Sequence, residues 1–280
     1  MINRTTFFTY ARRAPFGGRL STEQVEGCEA LLDACQREGV TDLRRIAYVF
    51  ASVFHETGGR MVPVRETFAT SDRQAMDRLD AAWRAGKLKW VKEPYWRDGW
   101  FGRGLIQLTH RANYVRMGRR LGVPLDTNPA LALELDTGAR IAVVGMNEGL
   151  FTGKRLADYF NSETTDPVGA RRIVNGTDKA KLIAGYFEAF LGALQAADER
   201  TPLPKDISDE EAAPDDVPPA ESKSLWSILL SFVTGGGGLA FLNGINSWPA
   251  VAALALLVVA GGIGAWLVLT GRVVIERRPQ

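Results

Sequence analysis

Two carboxylates ten residues apart stand out for their setting. Glu56 closes the apolar run Ala51-Ser-Val-Phe-His-Glu56, and Glu66 lies beyond a Gly58-Gly59 break. A carboxyl pair is what acid/base hydrolysis of a glycosidic bond requires: one group protonates the leaving oxygen and the other activates water. The inverting form of that reaction needs the two groups roughly 6.5–9.5 Å apart. In one unbroken helix, ten residues would set them about 80° apart around the axis and about 15 Å apart along it, which is too far. Gly58, Gly59 and Pro63 break the helix, so the chain can turn and carry Glu66 back towards Glu56.

Surroundings suggest which glutamate does what. Glu56, ending a helix rich in Phe and Val, suits the acid; Glu66, beside Arg65 on a loop, suits the base. Asp72, Asp77 and Glu93 are further carboxylates near the same stretch and remain alternatives for the base. The aromatic loop that follows holds Trp90, Tyr95, Trp96, Trp100 and Phe101. Tyr95, Trp96 and Trp100 offer flat faces for sugar rings, and equally suit a core. Arg103 can bond sugar oxygens or a carboxylate, or clamp its loop. Thr109 reads as the N-cap of the next helix. His55 reads as a structural hydrogen-bonding group, since Glu56 already fills the acid's place.

The elements that must position these residues read as helices. Ser21-Thr-Glu-Gln is a capping signal, and Val25, Cys28, Leu31, Leu32 and Cys35 follow with helical spacing. A core helix begins near Thr41-Asp42 and carries Leu43, Ile46, Ala47, Phe50, Val53 and Phe54 on its apolar face, with Glu56 near its end. Further helices are expected over 70–86, 110–121, 129–135, 137–148, 154–160 and 166–174. A last amphipathic helix follows the Asn175-Gly-Thr-Asp178 turn. Residues 1–20 read as a leading loop broken by Pro15 and Gly17-Gly18, and 105–108 as a short extended piece. Almost no strand pattern is present, so a mainly α fold is expected.

Composition narrows the function classes. Of 280 residues, 46% are hydrophobic, enough for a real core, while a net charge of +2 gives no footing for nucleic acid. Two cysteines and two histidines supply no convincing metal-ligand cluster, so no metal and no cofactor are expected; Cys28 and Cys35 read as ordinary small residues. The N-terminus lacks the apolar run of a secretory signal. The expected organisation is a catalytic domain over 1–200, an acidic Pro-rich linker over 201–224, a membrane region over 225–271 and a basic tail over 272–280. The linker, with five prolines and many carboxylates, is expected to be disordered. Leu225 to Gly271 carries no charge, and its second half is long enough for one span, its first half a weaker second one. Arg272, Arg277 and Arg278 favour a cytoplasmic C-terminus, which a two-span hairpin reconciles with a domain made in the cytoplasm.

Three segments, His55-Glu-Thr-Gly-Gly59, Trp100-Phe-Gly-Arg-Gly-Leu-Ile-Gln-Leu-Thr109 and Arg172-Ile-Val-Asn-Gly176, together resemble glycoside hydrolase family 19. The short step from Glu56 to Glu66 resembles its phage and prophage endolysin branch. The resemblance covers about residues 20–195. It implies a lysozyme-like or chitinase-like helical domain that cleaves β-1,4 bonds between N-acetylated sugars with inversion. It further implies Glu56 as acid, Glu66 as base, Thr109 as a group placing water or substrate, and Gln107 and Asn175 as cleft-lining residues. The expected partners are peptidoglycan glycan strands and inner-membrane lipid, with the oligomeric state left open. The rival expectations are a chitinase, an inactive wall-binding protein, and a holin-like role for 225–270.

Overall fold

The computed structural model describes residues 1–202 and 204–216. The expected membrane region and basic tail lie outside the described residues. Among the latter, no helix is long and apolar enough to cross a membrane.

The described chain is mainly helical, in the order α1 (Arg4–Arg13), α2 (Thr22–Arg37), α3 (Leu43–Glu56), α4 (Asp72–Arg84), α5 (Arg111–Leu121), α6 (Leu135–Glu148), α7 (Leu156–Tyr159), α8 (Ala180–Ala196) and α9 (Asp209–Ala212). The expected helix over 129–135 is a 3-10 turn at Pro129–Leu133, and that over 166–174 a 3-10 turn at Gly169–Ile173. One small antiparallel pairing joins β1 (Val64–Arg65) to β2 (Arg103–Gly104), with Val64 opposite Gly104 and Arg65 opposite Arg103.

Helix α3 is the centre of the main core. Every residue from Ile46 to Val53 is buried, so the helix is covered all round rather than along one stripe. It packs chiefly on α8, whose Ile183, Phe187, Phe190 and Leu194 are fully buried, and also on α2 and α6. Ser21 and Gln24 form the expected capping box of α2. Cys28 and Cys35, one below the other on that helix, are buried; desolvation pushes the Cys35 thiol up to about 12 and the Cys28 thiol well above its ordinary value, so both stay protonated. A second cluster gathers α5 and α6 through Tyr114, Met117, Ile141 and Val144, and a third gathers α4 and the aromatic loop through Leu79, Trp96 and Phe101.

Three expectations are corrected. Residues 4–13 form helix α1 rather than a leading loop, with Phe7, Phe8 and Ala11 in the core. The threonines that interrupt this segment's apolar pattern are accommodated inside it: Thr6 and Thr9 are buried, and Thr9 Oγ1 donates to the Thr5 carbonyl at 2.9 Å. Residues 105–107 are a turn, after which Leu108 pairs back with Arg103. The acidic segment, expected to be disordered, is docked on α1 over residues 206–215. Arg12 pairs with Asp215 at 2.7 Å, and Arg13 with Asp206 at 2.6 Å and Glu211 at 2.9 Å. The Asp215 N–H donates to the Leu20 carbonyl, and its carboxylate accepts from the Leu20 N–H, both at 2.7 Å. Charge complementarity to α1 holds a segment whose own apolar content would not.

Candidate active site

Helix α3 ends at Thr57, which is buried; its hydroxyl donates to Val53 O at 2.8 Å and accepts from Met61 N–H at 3.0 Å. Gly58 and Gly59 follow with φ of 62° and 83°, the left-handed turn that glycine allows at low cost. Helix α2 holds the exit path: Gln24 donates to Gly59 O at 2.9 Å, and Gly27 leaves room for the Met61 carbonyl, which a side chain there would overlap.

Glu56 therefore sits on the end of a fixed helix with its side chain 18% exposed. Its Oε1 accepts from Arg171 Nη1 at 2.7 Å, and the Arg171 side chain is only 5% exposed. Arg171 stands on the 3-10 turn Gly169–Ile173, and its Nε donates to Asp178 O at 3.2 Å. The setting of Glu56 is thus a buried ion pair, not the purely apolar surrounding expected for it. His55, beside it, is held below its ordinary pKa, first by burial, with Arg171 opposing and Glu56 favouring its charge; it is neutral at neutral pH.

Glu66 is held on the other side of the turn. Its backbone N–H donates to Gly102 O at 2.7 Å, and its carboxylate accepts from Tyr95 OH at 2.9 Å and from Gly102 N–H at 2.7 Å. Both oxygens are engaged, which fixes the carboxyl plane, and each keeps a second lone pair for a ligand. Burial, followed by the charge of Glu66, pushes the Tyr95 phenol well above its ordinary value, so it stays a donor. After Glu66 the chain takes two successive left-handed residues without glycine, Thr67 at φ 62° and Phe68 at φ 53°. Backbone of this kind costs on the order of 1–3 kcal/mol per residue and clusters at functional sites. It turns the Phe68 ring, with the residue 55% exposed, against Gly58, where a Cβ would lie 3.6 Å from it. The chain thus returns from Glu66 to the end of α3, as the glycine break implies.

The other expected residues divide. Tyr95 is at Glu66 and its ring packs against His110, centroids 4.4 Å apart and planes tilted by 57°. Gln107 is half-buried beside the same strand pair, donating to Val64 O at 3.2 Å, while its Oε1 is buried without a partner against Gly102. Thr109 is half-buried, and its carbonyl accepts from Asn113 at 2.8 Å; the N-cap of α5 is His110, not Thr109. Asn175 is exposed, and its N–H closes onto Arg171 O at 3.0 Å, so it shapes the turn that carries Arg171. Trp100 is half-buried against Tyr114 and the second cluster.

Trp96 and Arg103 are corrected. Trp96 is fully buried and its indole N–H donates to Asp80 at 2.7 Å, so it offers no face to a sugar. Trp90, in the same loop, is the exposed one at 76%. Arg103 is 2% exposed; it binds Gly99 O at 2.8 Å, Tyr114 OH at 3.2 Å and Asp72 at 2.8 Å, with its guanidinium over the Phe101 ring. It clamps the loop. Arg65 also turns to Asp72, at 2.6 Å, so the carboxylate of Asp72 bridges two arginines and is removed as a rival base. Sequence reasoning missed Arg171 and Phe68. The signal for Arg171 was an arginine inside an apolar turn, which needs a carboxylate wherever it is buried.

Among the described residues no three His, Cys, Asp or Glu side chains cluster as metal ligands. No family model matches the chain, and no curated protein matches it significantly.

Proposed function

We propose that the chain is a peptidoglycan-cleaving glycoside hydrolase that inverts at β-1,4 bonds, with a lysozyme-like or chitinase-like domain of the family 19 type. The observation that carries the reading is the pair of differently held glutamates: Glu56 against buried Arg171, and Glu66 fixed by Tyr95 and Gly102 across a strained turn that returns to the end of α3. Arg171 bonds Oε1 of Glu56, so Oε2 is the atom that must take up a proton, against the pull of the ion pair, before delivering it to the leaving oxygen. Once the proton has left, Arg171 compensates the carboxylate that remains. Glu66, its plane set by two donors, uses its free lone pairs to take a proton from the attacking water. Gln107, its amide held against Val64 and Gly102, and half-buried Thr109 shape the wall of the cleft behind Glu66, and the charge-free stretch from Leu225 attaches the domain to the inner membrane. The oligomeric state plays no part in this scheme.

The test is digestion of purified peptidoglycan by the wild type beside Glu56→Gln and Glu66→Gln, with product reducing ends identified by mass spectrometry. Both substitutions are expected to reduce release of saccharides by at least about 10³-fold while the fold is kept, since each removes a group used in the transition state. Release by either variant at the wild-type rate sinks the assignment of that residue. Turnover on chitin oligomers faster than on peptidoglycan would move the substrate class.

A further inference from the structure

Helix α5 carries a cationic face that the proposed chemistry does not use. Between Asp98 and Asp126 there is no acidic residue in 27 positions, where the chain's average would put roughly three, yet five arginines and His110 fall there. Two of the five are absorbed by the fold: Arg103 in its clamp and Arg120 between Glu38 and Glu148. The other three, Arg111, Arg116 and Arg119, are exposed and have no carboxylate partner among the described residues; Arg116 bonds only Asn113 and the Leu150 carbonyl. Together with Ala112 and Val115 they make up one open side of α5.

Helix stability accounts for Arg119, a cation in the last turn of α5, but not for Arg111. Arg111 is the first residue of α5, where the helix dipole disfavours a cation, and the preceding His110 holds φ of 64° without capping the helix through its side chain. A locally unfavourable choice beside a candidate active site is where function is expected to override stability. The face is also continuous with that site. Tyr95, which donates to Glu66, packs against His110, and the Arg111 guanidinium lies 5.8 Å from the Trp100 ring centre. Over the eight residues from Arg111 to Arg119 the helix advances about 12 Å, with Arg119 about 80° and Arg116 about 140° around the axis from Arg111, so the cations spread over one broad side of α5.

We infer that the α5 face is a subsite for the carboxylates of the peptide stems borne by a glycan strand bound at Glu56 and Glu66. The inference rests on the proposed glycan cleavage for its ligand. Planar guanidinium groups suit carboxylates, and exposed pairs of this kind are individually weak, so several together are needed. Their contribution falls as salt rises.

The experiment compares the full-length chain in mild detergent on intact peptidoglycan and on the same glycan stripped of its stems by an amidase. The variants are Arg111→Gln/Arg116→Gln/Arg119→Gln and, to avoid losing the Arg116 contact, Arg111→Glu/Arg119→Glu. The wild type is expected to show a KM about tenfold lower on stem-bearing glycan, and both variants to lose that ratio while kcat on stem-bearing glycan changes little. Co-sedimentation with both glycans in a Glu56→Gln background reads binding without turnover, and the same arginine-dependent preference for stems is expected there. If nothing is cleaved but the preference persists in sedimentation, the glycosidase reading fails and the subsite stands. A ratio unchanged in the variants, sedimentation indifferent to stems, or arginine-dependent binding to phosphatidylglycerol vesicles that exceeds binding to stem-bearing glycan would each overturn the subsite.

Discussion

Asp72→Asn isolates the clamp beneath the candidate base. The carboxylate of Asp72 joins Arg65, the residue before Glu66, to Arg103, whose guanidinium is 2% exposed. Replacing it leaves Arg103 with two backbone carbonyls, the Tyr114 hydroxyl and one amide oxygen. Breaking a buried ion pair costs roughly 3–5 kcal/mol. Asp72 is itself 44% exposed, so solvent screens its half of the interaction, and asparagine keeps one acceptor; about 2–3 kcal/mol is expected. For a domain of this size that lowers the melting temperature by about 5–10 °C. The loss depends on pH. Burial pushes the Asp72 carboxyl up, but hydrogen bonds and charge from Arg65 and Arg103 outweigh it and hold the group below its ordinary value. The folded state therefore binds this proton less readily than the unfolded one. The stabilisation is complete above about pH 4 and is lost as pH falls through the depressed folded value. Urea unfolding of both proteins, followed by tryptophan fluorescence across pH, should show a gap that is full at neutral pH and closes in acid. A gap that is absent, or that stays constant down to acid pH, would refute the clamp as described.

Tyr95→Phe removes one of the two donors to Glu66 while keeping the ring on His110; kcat should fall about tenfold or more in the peptidoglycan assay, with KM nearly unchanged. Gly27→Ala drives a methyl group into the Met61 carbonyl, so the turn after Glu56 must shift; a loss of more than about 2 kcal/mol in urea unfolding is expected. Arg12→Ala with Arg13→Ala removes the cations that hold Asp206, Glu211 and Asp215, and limited proteolysis should then cut within residues 204–216 several times faster, as it should in the wild type at high salt.

Much of the helical frame was legible because its apolar period is regular. Ser21 and Gln24 announced α2, and Ile46, Phe50 and Val53 announced α3. Helix α1 was hidden because Thr5, Thr6 and Thr9 break its period; the Asn3 side chain caps it, and Phe7 packs on Phe50 of α3 while the helix lies against α8. The turn from Glu56 to Glu66 was legible from two glycines and a proline. Its closure by Phe68 was not, since nothing local marks a phenylalanine that accepts a positive φ. The Glu56–Arg171 pair spans 115 residues, and neither partner's neighbours point to the other. Trp90 and Trp96 differ by six positions in one loop, and composition alone cannot tell the exposed ring from the buried one; Asp80, supplying an acceptor from α4, decides it. The docked acidic segment defeats a compositional rule because its partner charges lie near the opposite end of the domain's sequence.

That docking sets a length scale. Measured from composition, 22 residues from Pro202 to Lys223 separate the helical domain from the charge-free stretch; drawn straight, they would reach about 75 Å. With the chain held on α1 as far as Asp215, only the nine residues 216–224 precede Leu225, a contour of at most about 30 Å. The clasp that sets this limit combines ion pairs at partly exposed side chains, the class most sensitive to ionic strength, with hydrogen bonds to backbone carbonyls of both segments. Salt therefore loosens the side-chain half of this clasp while the Asp215 N–H stays on the Leu20 carbonyl, so release of residues 206–215 from α1 is graded rather than all-or-none.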